Sequence, residues 1–368
     1  MSGDFLFGNP ASLHQTGKKS RKFINETSDY LFSLFGLNPS ICQLYYHSGA
    51  TEGINTFFKG QASLLFKQNK IGSFFFSSVD HACVIELTDE IKKLGHHVYF
   101  FDVNKEGAFD LDKLIKNIKE ETALARTPYL NFTYINNETG IIWPLSLALK
   151  IKQETAASIH VDAVQLVGKT ANWQGLAPEL DAYTFSGHKF GAMKGVGFTF
   201  LNKSLNFSPL LQGGSQQAGL RAGTENALGI YSIKLALEDM VEYFDADGLK
   251  LAKIFIENKM IELLGDQGEI VAINGNFRNL NTIFVVLYGK KADLVSTRFD
   301  LQGMDVSTGS ACSSGIIKEN RVLQNMGYSI VDSTSAIRFS FSPLMTNEEA
   351  KIYFEKIKQT LTGLIKIK

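Results

Sequence analysis

Lys189 ends the segment Thr184-Phe185-Ser186-Gly187-His188-Lys189, which follows an apolar run and precedes a glycine-rich stretch. The apolar run predicts a buried strand, which would place the lysine on a tight turn at the strand end. An amine partly removed from water at such a turn can form a Schiff base with an aldehyde. A lysine alone is more often a solvated surface residue, so this chemistry also requires an anion site, a carboxylate partner and an aromatic lid.

Other positions along the chain have the residue types that these requirements call for. The small residues of Ser48-Gly49-Ala50-Thr51 precede a predicted helix, whose N-terminal N–H groups and dipole favour an anion. Asp162 ends an apolar strand, where a buried carboxylate needs a cationic partner such as a protonated pyridine nitrogen. His81 could stack on that ring and move protons, and Asn137 could donate a hydrogen bond to a ring oxygen.

Each of these positions also has an ordinary structural interpretation. Residues 48–51 can form a plain helix N-cap, and Asp162 can cap the helix that follows it. Asn137 lies in a polar segment whose composition suits an Asx turn, and a lone His81 is commonly a surface or core residue. The residue types alone leave both interpretations open.

A cysteine and an arginine in the C-terminal part of the chain add a nucleophile and a cation. Cys312 lies among small, polar residues that suit a mobile arm, where an exposed thiol can act as a nucleophile. Cys42 and Cys83 stand beside apolar residues, which is typical of buried cysteines. Arg338, flanked by apolar residues in a predicted strand, could bind a substrate carboxylate or form a structural ion pair.

The predicted elements that carry these residues alternate between strands and helices, which predicts an α/β fold with a largely parallel sheet covered on both faces. Ligands bind beyond the carboxyl ends of such strands, so the segments that follow them should converge on one crevice. In the C-terminal part of the chain, predicted helices dominate and strands are few. This change in pattern predicts a large domain over residues 1–245 and a smaller α+β domain over residues 246–368.

The composition excludes several other classes of protein. The chain has 368 residues, enough for two domains, with 37 basic and 37 acidic residues, so nothing favours nucleic acid or an anionic membrane as a partner. No apolar run is long enough to cross a bilayer, and the histidines form no zinc-type cluster. Three cysteines without a secretory signal favour a cytoplasmic, reducing location.

Taken together, the motifs show that the chain resembles the cysteine desulfurases, pyridoxal-phosphate-dependent (PLP-dependent) enzymes of the class V aminotransferase group. The match runs almost from end to end. The motifs that carry it, in the family's order, are Gly8-Asn9-Pro10-Ala11-Ser12-Leu13-His14, His47-Ser48-Gly49-Ala50-Thr51-Glu52, Asn136-Asn137-Glu138-Thr139-Gly140, His160-Val161-Asp162-Ala163-Val164-Gln165, Ser186-Gly187-His188-Lys189, Arg221-Ala222-Gly223-Thr224-Glu225-Asn226, Ser310-Ala311-Cys312 and Arg338-Phe339-Ser340.

The resemblance implies a PLP-dependent fold type I, with a mostly parallel seven-stranded sheet, a smaller C-terminal domain and a homodimer. It implies that Lys189 carries PLP, that Asp162 pairs with the pyridine nitrogen and that His81 stacks on the ring. Gln165 and Asn137 would contact the ring oxygen. The residues implied for the phosphate are Ala50, Thr51, Ser186, His188 and, from the other subunit, Thr224.

The resemblance also implies a reaction. L-cysteine would bind with its carboxylate at Arg338 and close to Asn137, and the thiolate of Cys312 would attack the substrate sulfur, leaving a persulfide and L-alanine. The persulfide sulfur would pass to an acceptor such as an iron–sulfur scaffold protein or a tRNA-thiolation protein. The serine-rich segment around Cys312 resembles the long-loop subgroup of the family.

Two other hypotheses remain. One is a PLP-dependent aminotransferase or lyase of the same group, against which Cys312 argues because transamination needs no thiol. The other is an N-terminally shortened, non-catalytic homologue that serves as a binding partner. It is motivated by the start of the chain, where the segment that commonly precedes Gly8-Asn9-Pro10 in the family, with its Asn-Asn-Ala-Thr-Thr motif, is absent.

Overall fold

The computed structural model describes residues 8–275, 277–308 and 319–365 of the chain. The predicted nucleophile, Cys312, lies outside the described residues. Seven strands form the main sheet in the order β3-β2-β4-β5-β6-β7-β1. In chain order these strands are β1 (Cys42–His47), β2 (Gly72–Ser77), β3 (His97–Phe101), β4 (Thr127–Thr133), β5 (Ser158–Asp162), β6 (Ala182–Ser186) and β7 (Gly197–Asn202).

The predicted α/β class and mostly parallel sheet are confirmed. Strands β2 to β6 pair in parallel, whereas β7 runs antiparallel to both β6 and β1. The central strands are buried on both faces, which is why they read as continuous apolar runs: Phe75 joins one core cluster, and its neighbours Phe74 and Phe76 join another.

Helices cover the main sheet. They are α1 (Gln15–Leu34), α2 (Ala50–Lys67), α3 (Ala82–Ile85), α4 (Thr88–Lys93), α5 (Leu111–Ala123), α6 (Leu145–Glu154) and α7 (Ala227–Tyr243). The sequence pattern of residues 82–94 predicts one continuous helix, which the structure contradicts. The helix is interrupted between α3 and α4, where Leu87 is buried and the Thr88 hydroxyl donates to the Ile85 carbonyl at 2.7 Å.

The C-terminal elements form a second, three-stranded antiparallel sheet with its own apolar cluster. The strands are β8 (Gly268–Ile270), β9 (Thr282–Leu287) and β10 (Ala336–Ser340), and the helices are α8 (Ala246–Leu264), α9 (Ala292–Leu301), α10 (Arg321–Asn325), α11 (Ile330–Ser333) and α12 (Asn347–Ile365). Strand β8 was not predicted because three residues are too few to show an alternating pattern. The domain division at residue 245 stays a prediction; it falls between α7 and α8.

Across the described ranges, no helix combines the length and the apolar character needed to cross a membrane.

Candidate active site

A cavity of about 670 Å³ lies at the carboxyl ends of the parallel strands. The side chains come together there because each of their segments follows a strand that runs in the same direction as β2 to β6 and leaves the sheet at the same edge. The sequence-predicted residues that line this cavity are Ala50, Thr51, His81, Asn137, Asp162, Gln165, Ser186, His188 and Lys189.

Donors gather at one side of the cavity, where α2 begins. The helix starts at Ala50, so Ala50 and Thr51 occupy its first turn. No side chain caps this end of the helix, which leaves N–H groups of that turn available to an anion. Nearby, the Ser186 hydroxyl and His188 Nδ1 are hydrogen-bonded at 3.0 Å.

Glu52 also lines this side of the cavity, and its negative charge is compensated. Its carboxylate accepts hydrogen bonds from the Ser48 N–H at 2.8 Å and from Arg221 Nε at 2.9 Å. Because Arg221 pairs with Glu52, this carboxylate presents less repulsion to an anion at the helix N-terminus.

Asp162 presents a buried carboxylate that has no cationic partner within the described ranges. Its side chain is 7% exposed and accepts one hydrogen bond, from the Val164 N–H at 3.1 Å. Burial, and to a lesser degree the charge of Asp80, raise the pKa of Asp162 to about 7. A cation bound next to this carboxylate would hold it ionised and lower that pKa.

Lys189 lies on the short helical turn Gly187–Lys189 directly after β6, as its sequence context predicted. Burial lowers the pKa of its amine, and the positive charge of Arg338 lowers it further. Among the described residues Lys189 forms no salt bridge, and it lines the cavity.

His81 begins α3, and its Nδ1 accepts a hydrogen bond from the Cys83 N–H at 3.1 Å. This bond assigns the neutral ring the tautomer with hydrogen on Nε2. Burial lowers the pKa of His81, and the charges of Lys189 and Arg321 lower it further. The ring is therefore neutral near pH 7.

Sequence reasoning missed Lys169, a buried lysine next to Gln165. Its Nζ donates to Gln165 Oε1, which leaves the Gln165 amide group free to donate from Nε2. Burial lowers the pKa of Lys169 to about 7, and the charges of Lys189 and Arg338 act in the same direction. The one signal in the sequence is a lysine in the otherwise apolar run Leu166-Val167-Gly168-Lys169.

Two predicted site residues do not line the main cavity. Arg338 Nη1 donates to the Asn137 carbonyl at 2.8 Å, and its Nε is buried without a hydrogen-bond partner among the described residues. Thr224 is exposed and lines a separate cavity of about 140 Å³ together with Ser48 and Gly195.

Cys83 differs from its sequence-based interpretation as a buried, inert residue, because it is half-buried and lines the main cavity. Burial and the neighbouring Asp162 raise the pKa of this thiol to about 12. The thiol is therefore protonated at neutral pH and a weak nucleophile.

Comparisons with known proteins agree with this geometry. The family model described as aminotransferase class-V matches residues 6–352. The chain is 31% identical to the cysteine desulfurase IscS of Dictyoglomus turgidum over 97% of this chain and 88% of that protein. It is 30% identical to cysteine desulfurase 2 of Trichormus variabilis over 98% of this chain and 86% of that protein.

Solved structures give the same result. A NifS-like protein superposes with a TM-score of 0.83 and 27% identity, over 97% of this chain and 92% of that one. The NifS-like protein of Rickettsia africae superposes with a TM-score of 0.80 and 25% identity, over 96% of this chain and 92% of that one. Enzymes of these families depend on PLP. The chain therefore belongs to the class V aminotransferase family, among the cysteine desulfurases.

Proposed function

We propose that this chain is a PLP-dependent cysteine desulfurase that converts L-cysteine to L-alanine and transfers the sulfur, as a persulfide on Cys312, to an acceptor protein. The observation that carries the proposal is one cavity holding a reactive lysine, Lys189, and a buried carboxylate, Asp162, that lacks a cation. Aldehyde capture requires the lysine, and a pyridinium nitrogen is the kind of cation that the carboxylate needs.

The residues present fit PLP. Asp162 would pair with the pyridine nitrogen, and Lys189 would hold the aldehyde carbon. The N–H groups at the start of α2, together with Thr51, Ser186 and His188, would hold the phosphate. When bound, PLP supplies an electron sink for bond breaking at the substrate α-carbon.

The remaining side chains of the cavity orient the reactants and move protons. Gln165 Nε2 and the Asn137 side chain would donate to the ring oxygen, since Lys169 occupies Gln165 Oε1. The neutral ring of His81 would stack on the pyridine ring, with Nε2 available for proton transfer. The lowered pKa of Lys189 increases its neutral fraction, which suits an amine that takes the substrate α-proton.

The sulfur transfer itself belongs to Cys312. Its thiolate would form an S–S bond to the sulfur of L-cysteine as the substrate C–S bond breaks. The electron pair of that bond remains on the substrate carbon, which takes up a proton to become L-alanine. The product on the enzyme is a persulfide, which an acceptor such as an iron–sulfur scaffold protein would attack.

We expect Arg338→Gln to raise the KM for L-cysteine by about 10- to 100-fold, because a charge-assisted hydrogen bond to the substrate carboxylate contributes about 1.5–3 kcal/mol. Steady-state L-alanine formation measures this. Arg278→Gln is the matched control, since Arg278 forms a largely buried ion pair with Glu257 at 2.6 Å. That variant should lose stability and keep its KM; an unchanged KM in Arg338→Gln would contradict the role of Arg338.

Three broader features complete the proposal. A homodimer would bring Thr224 of the partner subunit to the phosphate, which suits a residue that is exposed and outside its own cavity. The large domain would end near residue 245, where α7 and α8 meet. A reducing compartment such as the cytoplasm would keep the three cysteines as thiols.

Product analysis tests the function directly. The purified chain, loaded with PLP and given L-cysteine and a thiol acceptor, should form L-alanine and persulfide sulfur in equal amounts. A keto acid product would instead identify an aminotransferase or lyase. Bound PLP without any turnover of L-cysteine would identify a non-catalytic homologue.

A further inference from the structure

A continuous line of buried polar side chains crosses the main sheet beneath the cavity. Five of its six members lie on five strands and the sixth lies three residues after the end of another strand, and none is more than 4% exposed. In spatial order they are His47 on β1, Thr199 on β7, Thr184 on β6, His160 on β5, Asn131 on β4 and Asp80 after β2. We call these six hydrogen-bonded residues the relay.

Hydrogen bonds connect every neighbouring pair of the relay. His47 Nε2 lies 3.0 Å from Thr199 Oγ1, which lies 2.8 Å from Thr184 Oγ1. Thr184 Oγ1 lies 2.8 Å from His160 Nε2, and His160 Nδ1 lies 2.9 Å from Asn131 Oδ1. Asn131 Nδ2 donates to Asp80 Oδ2 at 3.0 Å, which ends the line.

Asp80 determines which atom donates and which accepts in each hydrogen bond of the relay. Its carboxylate accepts three hydrogen bonds: from the Thr133 hydroxyl at 2.6 Å, from the Asn131 amide, and from the Ser77 N–H at 3.0 Å. Two of these donors are N–H groups that can only donate, and an ionised carboxylate can accept from all three. Burial raises the pKa of Asp80 to about 6, so the group is still ionised at neutral pH.

The remaining hydrogen positions follow one from the next. Asn131 donates to Asp80, so its oxygen faces His160 and His160 must donate from Nδ1. A neutral His160 then accepts at Nε2 from Thr184, which accepts from Thr199, which accepts from His47 Nε2. Burial lowers the pKa of His160 to about 3 and that of His47 to about 4, so both rings are neutral.

On strands β5 and β6, the relay residues lie two positions before residues of the candidate site. His160 and Thr184 precede Asp162 and Ser186 by two residues on the same strands, and therefore share a sheet face with them. At the far end, His47 directly precedes the segment that begins with Ser48.

The His47 ring fits only because glycines surround it. A Cβ at Gly53 would lie 2.5 Å from His47 Nε2, and one at Gly197 would lie 2.7 Å from His47 Cε1. Glycine at these two positions therefore leaves the space that the His47 ring occupies.

We propose that the relay is a positioning device: ionised Asp80 orients every hydrogen bond through to His47, fixes both histidines as single neutral tautomers, and holds the strand ends that carry Ser48, Asp162 and Ser186 in fixed relation. The arrangement of hydrogen bonds stands independently of the proposed function; its effect on PLP binding rests on that function.

The tautomers of the two histidines test the relay without PLP. In the ¹⁵N-histidine-labelled apo chain, NMR should show His160 protonated at Nδ1 and His47 at Nε2. Thr184→Val removes the acceptor for Thr199, whose hydroxyl can then donate to His47 Nε2. His47 should therefore shift to Nδ1–H, although Thr184 is joined to it only through Thr199, and Thr184→Ser should restore the original state. His160 protonated at Nε2 in the wild type, or a His47 signal unmoved by Thr184→Val, would overturn the relay.

Affinity of the apo chain for PLP tests the positioning role. Thr184→Val should weaken PLP binding by about tenfold, equivalent to about 1.4 kcal/mol, and Thr184→Ser by less than about twofold. Thr27→Val, which removes a fully buried hydroxyl bonded to the Phe23 carbonyl, is the matched control and should bind PLP normally. A shifted His47 with unchanged PLP affinity would refute the positioning role. Failure of the wild type to bind PLP would refute the proposed function, and the tautomers would still decide the relay.

Discussion

Lys189→Ala should leave the chain without bound PLP after desalting and lower L-alanine formation by about 10³-fold or more. The lysine has two tasks in the proposed mechanism, holding the aldehyde carbon and taking the substrate α-proton. Removing one amine therefore removes both covalent retention and a positioned base. The visible absorption band of the desalted protein measures retention, and a coupled assay of L-alanine measures turnover.

Lys194→Ala is the control for this prediction. Lys194 also lines the cavity and follows Lys189 closely in the chain, but its side chain is exposed. This variant should keep the visible band and should change turnover by less than about threefold, as expected for an exposed charge. A visible band that survives desalting in Lys189→Ala would remove Lys189 from its place in the mechanism.

Much of the candidate site could be predicted because parallel strands end at one edge of the sheet. Residues such as His81, Asp162 and Lys189 each follow an apolar run, so their convergence needs only the alternation of strands and helices. Arg338 is different, because it comes from the smaller sheet. Nothing in the local sequence shows that its guanidinium bonds the Asn137 carbonyl rather than lining the cavity.

The parts that sequence reasoning missed depend on contacts between distant strands. Asn131 and His160 look like ordinary strand positions in the sequence, and their hydrogen bond forms only when β4 and β5 pair. Lys169 shows the same limit: its low pKa results from burial in the folded chain and from the charges of Lys189 and Arg338. Local patterns carry no information on either effect.

The structure narrows the choice of sulfur nucleophile among the three cysteines. Burial raises the pKa of Cys42 to about 11, and burial together with Asp162 raises that of Cys83 to about 12. Both are therefore thiols at neutral pH, and the attacking species is a thiolate. Of the three cysteines, Cys312 is therefore the one that we propose for the sulfur transfer.

The described residues on either side of the Cys312 segment are attached next to the candidate site. Ser307 and Arg338 exchange two backbone hydrogen bonds, at 3.1 and 2.7 Å. Asn320 donates from its side chain to Glu138, which follows Asn137. Ser307 therefore lies beside Arg338, the proposed substrate-binding arginine. Asn320 lies beside Glu138, the neighbour of the cavity residue Asn137.

Cys312→Ala should abolish persulfide formation and L-alanine release from L-cysteine while leaving PLP bound, because the variant loses the sulfur nucleophile and keeps every proposed cofactor residue. We expect at least about a 10³-fold loss of turnover, the scale on which a nucleophile is lost. Mass spectrometry of the protein after one turnover should find the added sulfur on the wild-type peptide containing Cys312.

Cys83→Ala tests whether a cysteine that lines the cavity, and not Cys312, is the sulfur nucleophile. Cys83 lines the cavity, yet its raised pKa makes it a poor nucleophile, so this variant should keep most of its turnover and still carry the persulfide on Cys312. If the Cys312→Ala protein released sulfur at the wild-type rate, the persulfide mechanism would fail. If that release then stopped in the double variant, Cys83 would be the nucleophile, and the cavity would have to lower the pKa of its thiol once substrate and PLP were bound.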